Sequence, residues 1–196
     1  LIQKSLAGRD VGLTLELGGK AANIVYEDAA IDQAVEGVVN GIFFNQGHVC
    51  CAGSRLLLQE SIHDQFVKKL EKRMQSLRVG NPLDKNTDIG AINSKEQLDK
   101  ITSLVNEGVE DGGELFQTQC ELPGNGFWFR PSLFTNVQPS YSIAREEIFG
   151  PVLTTLTFRT PEEAVEIANN TEYGLSAGVW TEKGSKILWT ADRLDA

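Results

Sequence analysis

Two adjacent cysteines, Cys50 and Cys51, are the residues of this sequence best suited to covalent chemistry. They lie in the stretch FFNQGHVCCAGSR at residues 43–55, with a glycine on either side of the pair. A thiol is a nucleophile only as the thiolate, and the pKa of a free cysteine is about 8.5. A glycine-flanked turn exposes the sulfur and gathers backbone N–H groups that stabilise a thiolate or an oxyanion. The pair is therefore either catalytic or a set of buried structural thiols.

The other cysteine and histidine residues lack the spacing of a metal site or of a cysteine–histidine dyad. The sequence has no Cys-x2-Cys or His-x3-His pattern, and adjacent cysteines rarely ligate one ion together. His48 is too close to Cys50 along the chain to act as its base, and His63 falls on a predicted helix. We expect no metal site, a local packing role for His48 and a structural role for Cys120.

Two further segments place carboxylates beside glycines. In ELGGK (16–20), Glu16 ends the alternating stretch GLTLEL, which predicts a strand over 12–17. Ligands of open α/β sheets bind at strand ends, where a glutamate can serve as a general base or can simply be solvated. The segment lacks the layout of a phosphate-binding P-loop. EEIFGPV (146–152) combines two acids, an aromatic residue and a Gly-Pro turn, which in isolation is typical of capping and loop chemistry.

Strand and helix patterns alternate along the chain and must position these segments. Short apolar runs predict further strands at 21–27, 55–60, 114–119, 152–158 and 175–182, and the aromatic stretch 127–137 is expected to be extended. Apolar residues at helical spacing predict helices over 32–45, 61–79, 94–112, 160–170 and 184–196, with Ser61, Ser94 and Thr160 at helix starts. Such alternation requires crossover connections, so we expect an α/β fold with a mainly parallel sheet flanked by helices on both faces.

Composition narrows the possible partners. The 196 residues carry a formal net charge of −9, the opposite sign from a typical nucleic-acid-binding face. No apolar run approaches the roughly 20 residues that span a bilayer. Three cysteines, an odd number, argue against a disulfide scaffold and for a reducing compartment. We therefore expect neither nucleic acid nor a membrane as a partner.

Together, the three segments resemble signatures of the aldehyde dehydrogenase superfamily. LELGGK at 15–20, FFNQGHVCCAGSR at 43–55 and EEIFGPV at 146–152 are similar to the family's glutamate, cysteine and Glu-x-Phe signatures, in the family's order and at its separations. Further similarity runs nearly end to end, through VGNPLD (79–84), FRPSLF (129–134) and ANNTEYGLSA (168–177).

This resemblance implies an oxidoreductase that converts an aldehyde to a carboxylic acid with NAD or NADP as the acceptor. The family pattern G-x-x-C-x-A-G places the nucleophile at Cys50, with Cys51 as a bystander. Cys50 would form a thiohemiacetal and then a thioester. Glu16 would activate the water that hydrolyses the thioester.

The resemblance also implies the residues that contact the cofactor. Glu147 matches the residue that holds the nicotinamide ribose, and Phe149 matches one that packs near the nicotinamide ring. Leu17 and Gly18 are expected to line the same side. His48 stands where many members have Gln or Arg.

The same resemblance predicts how the chain is organised. Residues 1–20 are expected to be the C-terminal end of a cofactor-binding domain, and residues 21–196 the catalytic, thiol-bearing domain. The main cofactor domain is expected before Leu1, so we expect the 196-residue chain to be inactive alone. The parent protein, of which these 196 residues are expected to form a part, is expected to be a homodimer or homotetramer in the cytoplasm or an organelle matrix.

Three alternative functions are considered for a chain with the same motifs. A scaffold member would keep the fold without catalysis, although Glu16, Cys50 and Glu147 are all present. A CoA-acylating member would pass the thioester to CoA, whereas Glu16 favours hydrolysis. A cysteine hydrolase would need a histidine partner that the sequence does not provide.

Overall fold

The computed structural model describes residues 1–196 and contains one six-stranded sheet. The strands are β1 (Ala22–Val25), β2 (Arg55–Gln59), β3 (Glu114–Gln117), β4 (Ser132–Thr135), β5 (Val152–Phe158) and β6 (Ala177–Trp180). The helices are α1 (Ile2–Leu6), α2 (Ile31–Phe43), α3 (His63–Met74), α4 (Lys95–Glu110), α5 (Ser142–Arg145), α6 (Pro161–Asn169) and α7 (Gly184–Ala191). None of these helices has the length and apolar character needed to cross a bilayer.

The sheet has the order β3-β4-β5-β2-β1-β6, and only β3, at one edge, runs antiparallel to its neighbour. Parallel strands need crossover connections, and the helices that make them cover both faces of the sheet. The predicted α/β class with a mainly parallel sheet and helices on both faces is confirmed.

Strand β2 shows how the sequence builds both layers. Leu56 and Leu58 pack into the cluster formed with α2 and α3, whereas Leu57 packs on the opposite face with α6. All three leucines are fully buried. A strand covered on both faces is a continuous apolar run rather than an alternating one, as the run LLL is here. Each such leucine contributes about 1.5–3 kcal/mol of burial free energy.

The helix starts follow local capping chemistry in two of three predicted cases. The Ser94 hydroxyl accepts from the Gln97 N–H at the start of α4, and the Thr160 hydroxyl accepts from the Glu163 N–H at the start of α6. The predicted Ser61 cap is wrong. A 3-10 turn over Glu60–Ile62 precedes α3, and the Ser61 hydroxyl donates to the Glu27 carboxylate instead.

The predicted strand over residues 12–17 is also wrong. The segment is irregular and exposed, and short helix α1 precedes it. A strand needs a neighbour that accepts and donates its backbone hydrogen bonds. No strand of the sheet lies beside this segment, so its alternating pattern produces no strand here.

Candidate active site

The predicted site segments meet at the amino ends of four parallel strands. Ala22 of β1 is in register with Arg55 of β2 and Ala177 of β6, and Arg55 is in register with Thr154 of β5. Because these strands begin at one level, the loops that precede them lie at one edge of the sheet. These segments therefore lie at the amino ends of the sheet strands, and Glu16 does not lie at the end of a strand as expected.

The two cysteines occupy the centre of a tight turn. The Ala52 N–H donates to the Val49 carbonyl at 3.1 Å, which closes a turn around Cys50 and Cys51. Cys50 is partly buried and Cys51 is exposed. The backbone N–H groups of both cysteines have no acceptor within the chain. The turn therefore presents two free backbone donors beside a thiol, which is the combination that an oxyanion requires.

The backbone changes direction through three residues in the left-handed conformation before this turn. Asn45, Gln46 and Gly47 have φ values of 49°, 48° and 76° directly after α2. A Cβ on Gly47 would overlap the Gly150 carbonyl oxygen, so only glycine fits there. Consecutive left-handed residues other than glycine are strained and persist only when their surroundings hold them. The reversal also packs the Cys50 turn against the loop before β5.

A glycine pair joins the other two segments. The Gly19 N–H donates to Glu147 Oε1 at 2.9 Å. A Cβ on Gly18 would lie 2.5 Å from Glu147 Oε2, and a Cβ on Gly19 would overlap the Cys50 carbonyl oxygen. Glycines therefore let segment 16–20 approach both Glu147 and the Cys50 turn. Oε2 of Glu147 accepts no hydrogen bond from the chain and is free for a ligand hydroxyl.

His48 and Phe149 connect the same two loops. His48 Nδ1 lies 2.7 Å from the Phe149 carbonyl oxygen, and the two rings stack with centroids 5.3 Å apart. Phe149 has a φ of 54°, unusual for a bulky residue. The ring stacking confirms the local packing role predicted for His48. The hydrogen bond to the Phe149 carbonyl adds a polar contact to that role.

Lys20 is a feature of the site that the sequence did not reveal. Its side chain is 1% exposed, and its Nζ has no hydrogen-bond partner. Burial, and then the charge of Arg55, lower the pKa of Lys20 to about 7, although the Glu147 charge opposes the shift. Nothing in the run GGKAAN distinguishes a buried lysine from a solvated one.

Arg55, at the first position of β2, is buried behind Lys20. Its guanidinium donates to the backbone carbonyls of Lys20, Ile167 and Ala168 at 2.7–3.0 Å. Burial lowers the pKa of Arg55 to about 10. The arginine thus ties the start of β1 to the last turn of α6.

The loop before β6 completes the site, and sequence reasoning gave its residues no role. The Ser176 hydroxyl donates to the Cys51 carbonyl at 3.3 Å. The ring of Tyr173 and the side chain of Leu175 would each contact a Cβ placed on Gly18 or Gly19. The resemblance over ANNTEYGLSA was the available signal for this loop.

Glu16 and Leu17 are not drawn into this arrangement. Both side chains are exposed, Leu17 at 66%. Glu16 forms no salt bridge and accepts no hydrogen bond. Of the six predicted site residues, the structure thus brings together Gly18, Cys50, Glu147 and Phe149.

Comparisons with known proteins agree with this arrangement. The family described as the aldehyde dehydrogenase family matches residues 1–196. The chain is 41% identical to betaine aldehyde dehydrogenase of Bacillus subtilis over 98% of this chain and 40% of that protein. It is 43% identical to retinal dehydrogenase 2 of Taeniopygia guttata over 100% of this chain and 38% of that protein.

A solved structure gives the same result for the fold. The NAD-dependent aldehyde dehydrogenase of Sinorhizobium meliloti superposes with a TM-score of 0.91 at 44% identity, over 97% of this chain and 38% of that one. The chain therefore spans about two fifths of the length of these relatives. A match over all 196 residues and identities above 40% show that the chain belongs to the aldehyde dehydrogenase family.

Proposed function

We propose that this chain carries the thiol chemistry of an NAD(P)-dependent aldehyde dehydrogenase, which oxidises an aldehyde to a carboxylic acid. One observation carries the proposal. The free N–H groups of Cys50 and Cys51 lie in the turn whose backbone packs on the Gly18–Gly19 pair that contacts Glu147. Family membership supplies the reaction class.

Cys50 acts as the nucleophile in this proposal. Its thiolate attacks the aldehyde carbon, a C–S bond forms, and the carbonyl oxygen becomes an alkoxide. The free N–H groups of the turn donate to that alkoxide as its charge develops. Cys51 shares the turn but is more exposed, and its carbonyl is held by Ser176. Cys51 therefore shapes the turn without forming the adduct.

The residues around Glu147 fit a nicotinamide cofactor. One carboxylate oxygen is fixed by the Gly19 N–H, and the other is free to accept from a ribose hydroxyl. Gly18 leaves no Cβ between that oxygen and the site. When bound, NAD(P) would supply the hydride acceptor for the oxidation of the adduct on Cys50. The similarity to an NAD-dependent enzyme supports this assignment.

Glu16 completes the reaction as a general base. It removes a proton from the water that attacks the Cys50 thioester, so that the C–S bond breaks and the acid is released. Its support is the resemblance of LELGGK and its position two residues before Gly18, which contacts Glu147. Leu17 is proposed to line the nicotinamide side with Gly18 and Phe149.

The organisation of the parent follows from the same reading. Residues 1–20 end a cofactor-binding domain, and residues 21–196 form the catalytic domain. The 196-residue chain alone is then inactive, because most of the cofactor contacts lie elsewhere. The parent is a homodimer or homotetramer in the cytoplasm or an organelle matrix.

The test follows reduced cofactor by absorbance at about 340 nm, with the protein expressed from its complete coding sequence and a panel of aldehydes. Cys50→Ala should abolish activity, a loss of at least about a thousandfold. Cys51→Ala is the matched control and should keep activity within about threefold. Equal loss in both variants would refute the assignment of the nucleophile. No turnover by the folded wild type would favour the scaffold alternative, and an acyl-CoA product would favour the acylating one.

A further inference from the structure

The imidazole of His48 lies at the junction of the two loops that carry the site. It is two residues before Cys50 along the chain, and its partner Phe149 is two residues after Glu147. The ring is partly buried and stacks on the Phe149 ring with an interplanar angle of 18°. The contact between His48 and Phe149 therefore joins the two loops. It lies two residues along the chain from Cys50 in one loop and from Glu147 in the other.

The hydrogen bonds of His48 define its tautomer. A carbonyl oxygen only accepts, so Nδ1 donates a proton to the Phe149 oxygen at 2.7 Å. The Asn93 N–H donates to Nε2 at 3.3 Å, so Nε2 is unprotonated. Both ring nitrogens are therefore engaged by backbone groups, and the ring is neutral with its proton on Nδ1.

Phe149 needs such support because its backbone is left-handed, with φ at 54°. A bulky residue in this conformation persists only when its surroundings hold it there. Its carbonyl oxygen receives a second donor, Nε2 of Gln97, at 3.0 Å. Gln97 also donates to the Ile148 carbonyl at 2.8 Å, from the first turn of α4. His48 and Gln97 thus both donate to the Phe149 carbonyl oxygen and restrain the loop that follows Glu147.

We propose that His48 is a positioning residue: it holds Phe149 in its left-handed conformation and so keeps the Glu147 carboxylate in place beside the Cys50 turn. Its effect on cofactor binding rests on the function proposed above, whereas its effect on the loop does not. The role needs a donor, an acceptor and a planar face, which neutral imidazole combines.

Three variants separate these contributions. His48→Ala removes the hydrogen bonds and the stacking, and His48→Phe keeps only a ring. His48→Gln keeps a donor and an acceptor on one planar amide. The matched control is His63→Ala, because His63 is the other histidine and its imidazole pairs only with exposed Asp64.

The first measurement is hydrogen–deuterium exchange of the ligand-free protein, expressed from its complete coding sequence. The reporters are the Val152 N–H, which donates to the Gly150 carbonyl, and the Glu146 N–H, which donates to the Ser142 carbonyl. Exchange at these amides should rise about fivefold or more in His48→Ala and His48→Phe, as expected for loss of hydrogen bonds. His48→Gln should stay within about twofold of wild type, and His63→Ala should not differ.

Unchanged exchange in His48→Ala would overturn the proposal. So would equal acceleration in β1 and β2, because that pattern means general loss of stability. Equal acceleration in His48→Gln and His48→Ala would exclude the hydrogen-bonding role.

The second measurement is the dissociation constant for NADH, from its fluorescence. His48→Ala should weaken binding about tenfold, equivalent to about 1.4 kcal/mol, and His48→Gln should restore most of that affinity. If the loop loosens in His48→Ala while NADH affinity is unchanged, the link to Glu147 is overturned. If the wild type itself binds no NADH, the proposed function fails, and the exchange data still decide the positioning role.

Discussion

Replacement of Lys20 by methionine is the most direct test of whether the buried Lys20 ammonium destabilises the folded protein. The side chain is 1% exposed and its Nζ has no hydrogen-bond partner, so the charged form is buried without a hydrogen bond. Methionine keeps a long, flexible stem and removes the charge. We expect Lys20→Met to increase the free energy of unfolding at neutral pH, because an isolated buried charge is unfavourable.

The magnitude follows from the pKa of Lys20, which burial lowers from 10.5 to about 7. Each pH unit between these values is worth about 1.4 kcal/mol, so the full effect is of the order of 5 kcal/mol. Relaxation around the charge reduces this figure, and we expect a gain of about 2–4 kcal/mol at pH 7.

The sign of the pH dependence is fixed by the same two values. Below pH 7 both the folded and the unfolded chain carry the Lys20 charge, and the penalty is fully present. Between about 7 and 10.5 the unfolded chain binds more protons than the folded one, so this group makes stability rise with pH. The advantage of Lys20→Met over wild type should therefore shrink steadily from pH 7 to pH 9.

Urea unfolding of both proteins at a series of pH values measures this difference, in which titrating groups that do not interact with Lys20 cancel. Lys68→Met is the control, because Lys68 is exposed on α3 and forms no salt bridge. It should change stability by less than about 0.5 kcal/mol at every pH. A Lys20→Met protein less stable than wild type at pH 7, or a difference that does not vary with pH, would refute the reasoning.

Three further substitutions test the backbone around the site and the helix caps, each by urea or thermal unfolding. Gly47→Ala should destabilise by at least about 2 kcal/mol, because its φ is 76° and the new Cβ overlaps the Gly150 carbonyl. Arg55→Met should destabilise by about 3 kcal/mol or more, since it leaves three carbonyl acceptors without their donor. Thr160→Ala should lose about 1 kcal/mol through the missing cap to Glu163, and Thr160→Ser should recover it. Loss of the same size in Thr160→Ser would contradict the capping argument.

The sequence predicts most of the fold because the relevant signals are local or periodic. The run LLL of β2 and the caps at Ser94 and Thr160 depend on neighbours within a few residues, and each occurs as predicted. The pattern over 12–17 fails because a strand depends on a partner strand. Ser61 fails because a competing acceptor, Glu27, is distant in sequence.

The candidate site likewise contains features that the sequence predicts and features that it does not. The motifs identify the Cys50 turn, Gly18 and the loop of Glu147 and Phe149, and the structure brings these together. The burial of Lys20 could not be predicted, because it results from packing beneath elements far apart in the chain. The hydrogen bonds of His48 depend equally on two distant loops.

The position of the candidate site at the amino ends of the strands determines which donors the proposed mechanism can use. At the carboxyl ends of parallel strands, helix N-termini supply N–H groups and partial positive charge. At the amino ends the crossover helices finish instead, with unsatisfied carbonyls and partial negative charge. Here α2 ends just before the Cys50 turn, and α6 ends against Arg55, which donates to two of its last carbonyls. The oxyanion of the proposed mechanism would therefore need other donors at this edge, and the N–H groups of Cys50 and Cys51 have no acceptor within the chain.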